Sequence, residues 1–526
     1  KQVIAYWAPQ ITDHLPESVR LAAKLPGLNT ALENVHFPKT QAHLKLARER
    51  LAFDEIFFLQ MGVLRQKRDW QSVMGHIFDV PEEWLKSRKD ALPFTLTNAQ
   101  EKAVSDIVMD FGSGRPMNRL LQGDVGSGKT VVAAMAIEII AHAGAQSALM
   151  APTSILAEQH YRSLSTMLTA GEGGIEEDEI RLLIGDTPEA RKEEIREGLL
   201  NGSIKVIIGT HALIQDSIEF KNLELAIVDE QHRFGVDQRV ALREKGANLH
   251  LMVMTATPIP RSLALTVHGD LDISVMDELP AGREPIETHV LRPQERERAY
   301  TMIRSQVLDG KQAFIIYPLV EESEKIEARA AVKEHESLQA EVFHKLNVGL
   351  LHGRMKPAEK DEVMEKFRAK EYDILVATTV VEVGVDVPNA TVMLIEGADR
   401  FGLAQLHQLR GRVGRGIDKS YCLLIPTSND DTENERLLAM AESNDGFVLA
   451  EKDLQQRGPG EFLGVRQSGY STGLRMASLT DIELIEKARE RAQAIFALDA
   501  NLEKEEHKLL GEALDHFWGD VKGEAS

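Results

Sequence analysis

The chain has 526 residues, of which 43% are apolar and 27% charged, the proportions of an ordinary globular protein. A single core rarely grows to this length, so we expect more than one domain. The single cysteine, Cys422, excludes a disulfide framework and a cysteine-rich zinc cluster, and its apolar surroundings predict a buried strand. The longest apolar stretch, 131–145, contains Glu138 and His142 and is too short to span a bilayer. We therefore expect a cytoplasmic protein without a membrane partner.

The net charge of −21 does not exclude a nucleic-acid partner. Phosphate binding depends on local charge, and an acidic exterior is compatible with a basic groove. Residues 407–415, for example, contain three arginines and no acid.

The N-terminal region predicts helices. Residues 40–69 place Phe53, Phe57, Met61 and Leu64 on one stripe at helical spacing, and a second stripe begins beside it. A helix that is apolar on more than one side usually packs against protein. We favour this scaffolding role over the alternative, which is direct contact with DNA.

Phe94, Thr97 and Gln100 lie about two dozen residues before the glycine-rich segment 123–130. A glutamine side chain offers both a donor and an acceptor, so Gln100 can recognise the edge of an adenine while Phe94 stacks nearby. The alternative is that Thr97 and its neighbour merely cap a helix. The distance from the glycine-rich segment favours base recognition.

From residue 117 onward, short apolar runs alternate with amphipathic stretches. Such strands suit a parallel sheet that is covered by helices on both faces. The turn-rich segment 277–283 interrupts the pattern, which then restarts, so we predict two tandem doubly wound α/β domains. The predicted strands are 119–122, 147–150, 204–208, 225–228 and 251–254 in the first domain, and 313–317, 348–351, 374–377 and 392–395 in the second.

A glycine-rich segment follows the first predicted strand and opens a predicted helix. Backbone N–H groups of such a turn cradle phosphate oxygens, its lysine reaches the terminal phosphates and its hydroxyl binds Mg²⁺. Lys129 and Thr130 are the candidates for the last two roles. A glycine turn without a ligand is the disfavoured alternative. The segment consists of Gly123, Asp124, Val125, Gly126, Ser127, Gly128, Lys129 and Thr130.

Two acidic residues end the predicted strand 225–228. The carboxyl ends of strands in an open parallel sheet face the ligand crevice. Asp229 fits a carboxylate that binds Mg²⁺, and Glu230 fits the base that orients the attacking water. A pair of exposed carboxylates is common at strand ends, but the glycine-rich segment disfavours that alternative here.

Hydroxyl residues at other predicted strand ends form a further group. Thr255 and Thr257 follow the strand 251–254, where they can bond to His232 and link the nucleotide site to the opposite surface. Other strand ends fit a groove in which amides and hydroxyls meet DNA backbone phosphates, although each is compatible with a simple turn. The candidate DNA-contacting residues are Thr153, Thr210 and Thr379.

Arg412 and Arg415 flank Gly414 in the second predicted domain. Guanidinium groups supplied across a cleft stabilise the charge on a transferring phosphoryl group. We predict that both act in this way and that Gln408 couples the same segment to the nucleotide. The alternative is a solvated basic turn that binds DNA phosphates.

These segments, in this order, resemble superfamily 2 helicases, and longer stretches narrow the resemblance to the RecG family of bacterial branched-DNA helicases. The stretches that carry it are 229–235, 254–261, 269–283, 453–464 and 466–469. The last two resemble the TRG motif of that family, which is thought to couple movement at the ATP site to the pulling of duplex DNA. The resemblance implies coupling roles for Arg457, Glu461 and Gln467, and a packed C-terminal extension is the alternative.

The resemblance implies an ATP-dependent translocase on double-stranded DNA that reverses stalled forks and migrates Holliday junctions, with ATP and Mg²⁺ as cofactors. We expect a monomer in the bacterial nucleoid, and single-strand binding protein is a candidate partner. The implied regions are a helical linker (1–90), a first RecA-like ATP-binding domain (91–280), a second RecA-like domain (281–430), and the TRG motif with C-terminal helices (431–526).

RecG-family proteins carry an N-terminal wedge with an OB-fold, and no β-rich domain of that kind fits in residues 1–90. We therefore expect a fragment that keeps the ATPase chemistry and loses most fork binding.

Three other functions remain alternatives. A transcription-repair coupling translocase shares the TRG-type segment, but residues 457–461 favour RecG. An RNA helicase is disfavoured by Asp-Glu-Gln-His at 229–232 and by the TRG-like segment. A catalytically inactive scaffold is disfavoured because every expected catalytic residue is present.

Overall fold

The computed structural model divides the chain into two compact units. One contains residues 1–73, 259–272 and 454–526, and the other contains 74–258 and 273–453. Within the described residues, no helix combines the length and the hydropathy that a bilayer span requires. The structure describes residues 2–71, 74–229, 242, 245–246, 248–256, 271–280, 284–318, 324–378, 387–416, 418–429, 432, 434–457, 474–478 and 481–523.

The described helices and strands are as follows. The helices are α1 (Gln2–Trp7), α2 (Glu17–Ala22), α3 (Leu28–His36), α4 (Gln41–Gln71), α5 (Glu82–Asp90), α6 (Asn98–Phe111), α7 (Lys129–His142), α8 (Ser154–Leu168), α9 (Glu189–Asn201), α10 (Arg296–Leu308), α11 (Glu324–Ser337), α12 (Pro357–Arg368), α13 (Leu403–Arg410), α14 (Glu435–Glu442), α15 (Gly446–Arg457), α16 (Ile482–Leu498) and α17 (Lys508–Gly523). The strands are β1 (Asn118–Gly123), β2 (Gln146–Met150), β3 (Ile180–Leu183), β4 (Val206–Gly209), β5 (Leu223–Asp229), β6 (His250–Thr255), β7 (Asp272–Met276), β8 (Glu287–Val290), β9 (Gln312–Ile316), β10 (Val348–Leu351), β11 (Ile374–Ala377), β12 (Ala390–Glu396) and β13 (Tyr421–Ile425).

The first unit is helical and joins the two ends of the chain. The 31-residue helix α4 packs along α16 and also contacts α3 and α17. Phe53, Phe57 and Met61 are at most 1% exposed, and they share one core with apolar residues of α16 and α17. This stripe therefore packs against protein, as the sequence predicts.

A buried ion-pair network fastens α4 to the loops before α3. Arg50 is fully buried, and its guanidinium donates to Asp13 Oδ1 at 2.7 Å and to Asp54 Oδ1 at 2.8 Å. A third donor of the same group reaches the carbonyl of Pro26 at 3.0 Å. Every side of the guanidinium is thus matched, which is the condition under which a buried charge is tolerated.

We expect Arg50→Leu to lower the free energy of unfolding by about 3–5 kcal/mol, because it leaves two carboxylates without their cation. The measurement is urea unfolding followed by circular dichroism. Arg20→Leu is the matched control, since Arg20 pairs with the exposed Glu17 and such pairs contribute at most about 1 kcal/mol. Equal losses in the two variants would contradict the structural role of Arg50.

The second unit contains two parallel sheets with helices around each. The first lobe has a seven-stranded sheet in the order β3-β4-β2-β5-β6-β1-β7, and the second lobe has a six-stranded sheet in the order β10-β11-β9-β12-β13-β8. The registered pairs within both sheets are parallel. The predicted fold class, two tandem doubly wound α/β domains with a helical N-terminal segment, is confirmed.

Cys422 lies on β13 and is fully buried, as its apolar surroundings predict. Burial raises the pKa of its thiol to about 12. The thiol is therefore a core group at neutral pH and not a reactive nucleophile.

The register of the first sheet brings three functional strand ends together. Asp229 of β5 pairs with Met254 of β6, and the next residue, Thr255, pairs with Gln122 of β1. Because the strands are parallel, their carboxyl ends meet at one edge of the sheet. The acidic strand end and the glycine-rich segment therefore share that edge, separated by β6.

A buried histidine lies at the opposite edge of this sheet. His250 begins β6, its Nδ1 accepts from the amide of Met117 at 3.0 Å, and its ring meets those of Phe78 and Phe111 edge-on. Burial lowers its pKa from 6.5 to about 4. The imidazole is therefore neutral in the folded protein at any pH above that value.

This depressed pKa predicts a pH-dependent stability. The contribution is fully present above pH 6.5 and is lost as pH falls towards about 4, because only the unfolded chain takes up the proton in that window. The loss amounts to about 3 kcal/mol. We expect His250→Asn, whose amide oxygen can still accept from Met117, to remove this part of the acid sensitivity in urea titrations. The exposed His344→Asn is the control and should leave it intact.

Candidate nucleotide site

The phosphate loop, residues 123–130, lies between β1 and α7. Gly126 and Gly128 have φ angles of 78° and 85°, a left-handed region that side chains rarely adopt. A Cβ added at Gly128 would lie 2.3 Å from Nε2 of Gln100. The two glycines therefore give the turn its shape and leave its amides beside the N-terminus of α7, where anions bind.

The lysine of the loop is folded onto the loop itself. Nζ of Lys129 donates to the carbonyl oxygens of Gly123 at 2.7 Å and of Asp124 at 2.9 Å. These are neutral acceptors, and a nucleotide phosphate is a stronger, charged acceptor for the same ammonium. This geometry suits a lysine that exchanges its hydrogen bonds to the two carbonyls for bonds to phosphate oxygens when a nucleotide binds.

Gln100 is directed at the phosphate loop. Its Oε1 accepts from the amide of Thr97 at 2.9 Å, and its Nε2 donates to the carbonyl of Ser127 at 2.9 Å. Thr97 caps α6 in return, because its hydroxyl accepts from the amide of Gln100. The capping alternative is thus present, and adenine recognition by Gln100 and by Phe94, which is 47% exposed, remains a prediction.

The acidic strand end is held by a histidine. Oδ2 of Asp229 lies 2.7 Å from Nε2 of His160 on α8, and Asp229 is only 8% exposed. This partner fixes the orientation of the carboxylate at the strand end. Glu230, the predicted base, lies outside the described residues.

The donors at this site fit Mg²⁺. Among the described residues, no group of three or more His, Cys, Asp or Glu side chains is arranged to hold a metal. Mg²⁺ does not need one, because it usually binds one or two carboxylates, a hydroxyl, substrate phosphates and water. Thr130 in the first turn of α7 and Asp229 at the end of β5 are the hydroxyl and carboxylate predicted for this role, and their binding of Mg²⁺ remains a prediction.

The arginine-rich segment of the second lobe, residues 407–415, contacts the phosphate loop. Nε2 of His407 lies 2.5 Å from Oδ1 of Asp124. A Cβ added at Gly411 would lie 2.8 Å from Cβ of Val125, so the two backbones approach closely. Residues of the two lobes that are 283 positions apart in sequence therefore meet at the loop.

The predicted arginines follow directly after this contact. Arg412 is 4% exposed, and Nε of the half-buried Arg415 donates to the carbonyl of Gly411 at 3.3 Å. Gln408 is half-buried on α13. The structure thus brings this segment to the phosphate loop, and the contact of either guanidinium with a phosphate remains a prediction.

Three residues at this site were not predicted from the sequence: His407, Arg410 and His160. Arg410 is 2% exposed and donates to the carbonyls of Met440 and Ser443 at 2.8 Å each. It is thus a structural arginine within an arginine-rich segment. The only feature of the sequence that points to Arg410 is its position two residues before Arg412. No local sequence pattern indicates either histidine.

Several predicted DNA contacts have structural partners. Thr153 caps α8 by accepting from the amide of Leu156 at 3.4 Å. Thr210 and Thr255 are each 3% exposed, and the amide of Thr210 donates to Leu183 at 3.3 Å. All three follow or end strands at the predicted edge. The contact of Thr153 and Thr210 with DNA and the bond of Thr255 to His232 remain predictions.

His232, Thr257, Thr379, Glu461 and Gln467 lie outside the described residues, and Arg457 is described only as the end of α15.

Three family models match the chain. Residues 97–266 match the DEAD/DEAH box helicase family, residues 296–416 match the helicase conserved C-terminal domain, and residues 443–519 match the C-terminal part of domain 3 of the ATP-dependent DNA helicase RecG. An ATP-dependent DNA helicase RecG of Bacillus subtilis is 46% identical over 516 residues, covering 98% of this chain and 75% of that protein. The chain belongs to the RecG family. The third model excludes a general helicase assignment, because it is specific to RecG.

Two further comparisons agree. The RecG helicase of Synechocystis is 50% identical over 495 residues, which is 94% of this chain and 59% of that protein. A solved structure of RecG bound to a three-way DNA junction has a TM-score of 0.78 at 43% identity, covering 94% of this chain and 64% of that one. The chain thus spans about three fifths of the length of these RecG relatives.

Proposed function

We propose that this chain is the motor portion of a translocase that hydrolyses ATP, moves along double-stranded DNA and remodels branched DNA, including stalled forks and Holliday junctions. The single observation that carries the proposal is the meeting of the phosphate loop with the arginine-rich segment through Asp124, His407, Val125 and Gly411. A nucleotide bound there touches both lobes. Hydrolysis can therefore change the distance between them.

Each residue near the loop has a chemical role in this proposal. Lys129 binds the terminal phosphates, while Thr130 and Asp229 hold Mg²⁺, which neutralises phosphate charge. Arg412 and Arg415 approach from the second lobe and stabilise the charge that develops on the transferring phosphoryl group. The proposed hydrolysis thus depends on both lobes.

The DNA part of the proposal rests on family membership. The RecG structure that this chain resembles is bound to a three-way DNA junction. Strand ends that carry Thr153 and Thr210 lie on the carboxyl edge of the first sheet, where backbone phosphates can be contacted without reading sequence. Arg457, Glu461 and Gln467 are the proposed couplers of ATP hydrolysis to DNA movement.

ATP hydrolysis measured with linear duplex, forked DNA, a Holliday junction and RNA tests this function. Stimulation by duplex or branched DNA, with little by RNA, is the expected result. Preferential stimulation by RNA would instead indicate an RNA helicase. No hydrolysis with any nucleic acid, despite nucleotide binding, would contradict the proposal.

A further inference from the structure

Asp124 is the one acidic residue in the phosphate loop. A carboxylate in a loop that cradles phosphates opposes nucleotide binding, because like charges repel strongly where water is partly excluded. Its Oδ1 accepts from the amide of Val125 at 2.6 Å and lies 2.5 Å from Nε2 of His407. Burial is the largest single effect on the pKa of Asp124 and raises it, but the hydrogen bonds from His407 and from the amide of Val125, together with the charge of Lys129, outweigh it and lower the pKa overall, so the carboxylate is ionised at neutral pH.

The hydrogen-bonding direction at His407 is set by Arg410. Nη2 of Arg410 lies 2.8 Å from Nδ1 of His407, and a guanidinium has only donors. Nδ1 must therefore accept, which places the hydrogen on Nε2 and directs it at Asp124. Because Arg410 is itself fixed by the carbonyls of Met440 and Ser443, the second lobe determines where the imidazole points.

We propose that His407 is a positioning residue for nucleotide binding, which acts by holding the Asp124 carboxylate against the second lobe instead of leaving it to face the phosphates. The effect extends to the lysine, because the carbonyl of Asp124 accepts from Nζ of Lys129 at 2.9 Å. A shift of Asp124 therefore moves the acceptor of the phosphate-binding ammonium as well. The inference rests on the proposed binding of ATP at this loop.

Titration with a fluorescent ADP analogue in the presence of Mg²⁺ tests the proposal, with KM for ATP and kcat measured in parallel. We expect His407→Leu to weaken binding and to raise KM roughly tenfold or more, as for the loss of a hydrogen bond to a charged group, with a smaller change in kcat. His407→Gln should retain most of the affinity, since its amide can donate to Asp124 and accept from Arg410. Purely structural damage from replacing the histidine would affect both variants, so retained affinity in the glutamine variant alone points to the hydrogen bonds.

A double-mutant cycle identifies the carboxylate as the group through which His407 acts. In an Asp124→Asn background there is no charge to hold, so adding His407→Leu should change the affinity by less than about twofold. The control is His344→Leu, an exposed histidine of the second lobe. His407→Met, a flexible side chain without a donor, is the second variant if the leucine variant does not fold.

Equal affinities for the parent, His407→Leu and His407→Met would overturn the proposal, and so would effects that add fully to those of Asp124→Asn. The titration requires neither DNA nor turnover. Normal nucleotide binding without DNA-stimulated hydrolysis would therefore count against the proposed function and leave this inference standing.

Discussion

Lys129→Ala is expected to lower ATP turnover by roughly 10²–10³-fold, the usual cost of removing one preorganised donor from a developing charge. Nζ of Lys129 lies within 2.9 Å of two loop carbonyls, so it is already at the loop where the phosphates are expected to bind. Steady-state hydrolysis at saturating DNA gives kcat, and a fluorescent ADP analogue gives affinity. Both should fall, because the ammonium binds the phosphates before and during the reaction.

The control for this variant is Lys102→Ala. Lys102 is exposed on α6 of the same lobe, so its replacement by alanine should leave turnover unchanged. Thermal unfolding of both variants separates chemistry from stability. Hydrolysis at the parent rate in the folded Lys129→Ala variant would refute the role assigned to the phosphate loop.

Arg412→Ala and Arg415→Ala are expected to reduce kcat by roughly 10³-fold or more if each guanidinium reaches the transferring phosphoryl group. The contact of Gly411 with Val125 brings this segment to the phosphate loop, and Arg412 is the next residue. Arg412→Lys should not restore turnover, since lysine keeps the charge but loses the planar fork. The measurement is kcat at saturating ATP and DNA.

The competing interpretation makes a different prediction for the same variants. If these arginines bind DNA phosphates, DNA affinity falls and its dependence on salt becomes shallower, while kcat at saturating DNA is preserved. Fluorescence anisotropy with labelled duplex at several salt concentrations measures this effect. Unchanged kcat with weakened DNA binding would reassign Arg412 and Arg415 to the DNA.

The parallel strands could be predicted because most are short, continuously apolar runs. Three strands escaped that criterion: β3, β7 and β8. β8 shows why, since its four residues are only exposed or half-buried and it forms the outer edge of its sheet. A strand at the edge of a sheet has a neighbouring strand on one side only and is less deeply buried, so it does not need a continuous apolar sequence.

The phosphate loop, Asp229 and the arginine-rich segment could be predicted because each is a local motif with a chemical reason for its residue types. The partners of these motifs could not. The bond between Asp124 and His407 and that between Asp229 and His160 join distant parts of the chain, and their residue types carry no local signal. Gln100 was predicted to recognise adenine because its side chain is an amide. In the structure this amide donates to the carbonyl of Ser127, a contact that could not be predicted without the shape of the loop.

The pairing of α4 with α16 has a consequence for synthesis. More than 400 residues separate the end of α4 from the start of α16, and a ribosome needs roughly 20–80 s to add them. Throughout that interval the phenylalanines of α4 lack the helix that buries them. The nascent chain therefore exposes an apolar helix face that chaperones can bind until the last helices are synthesised.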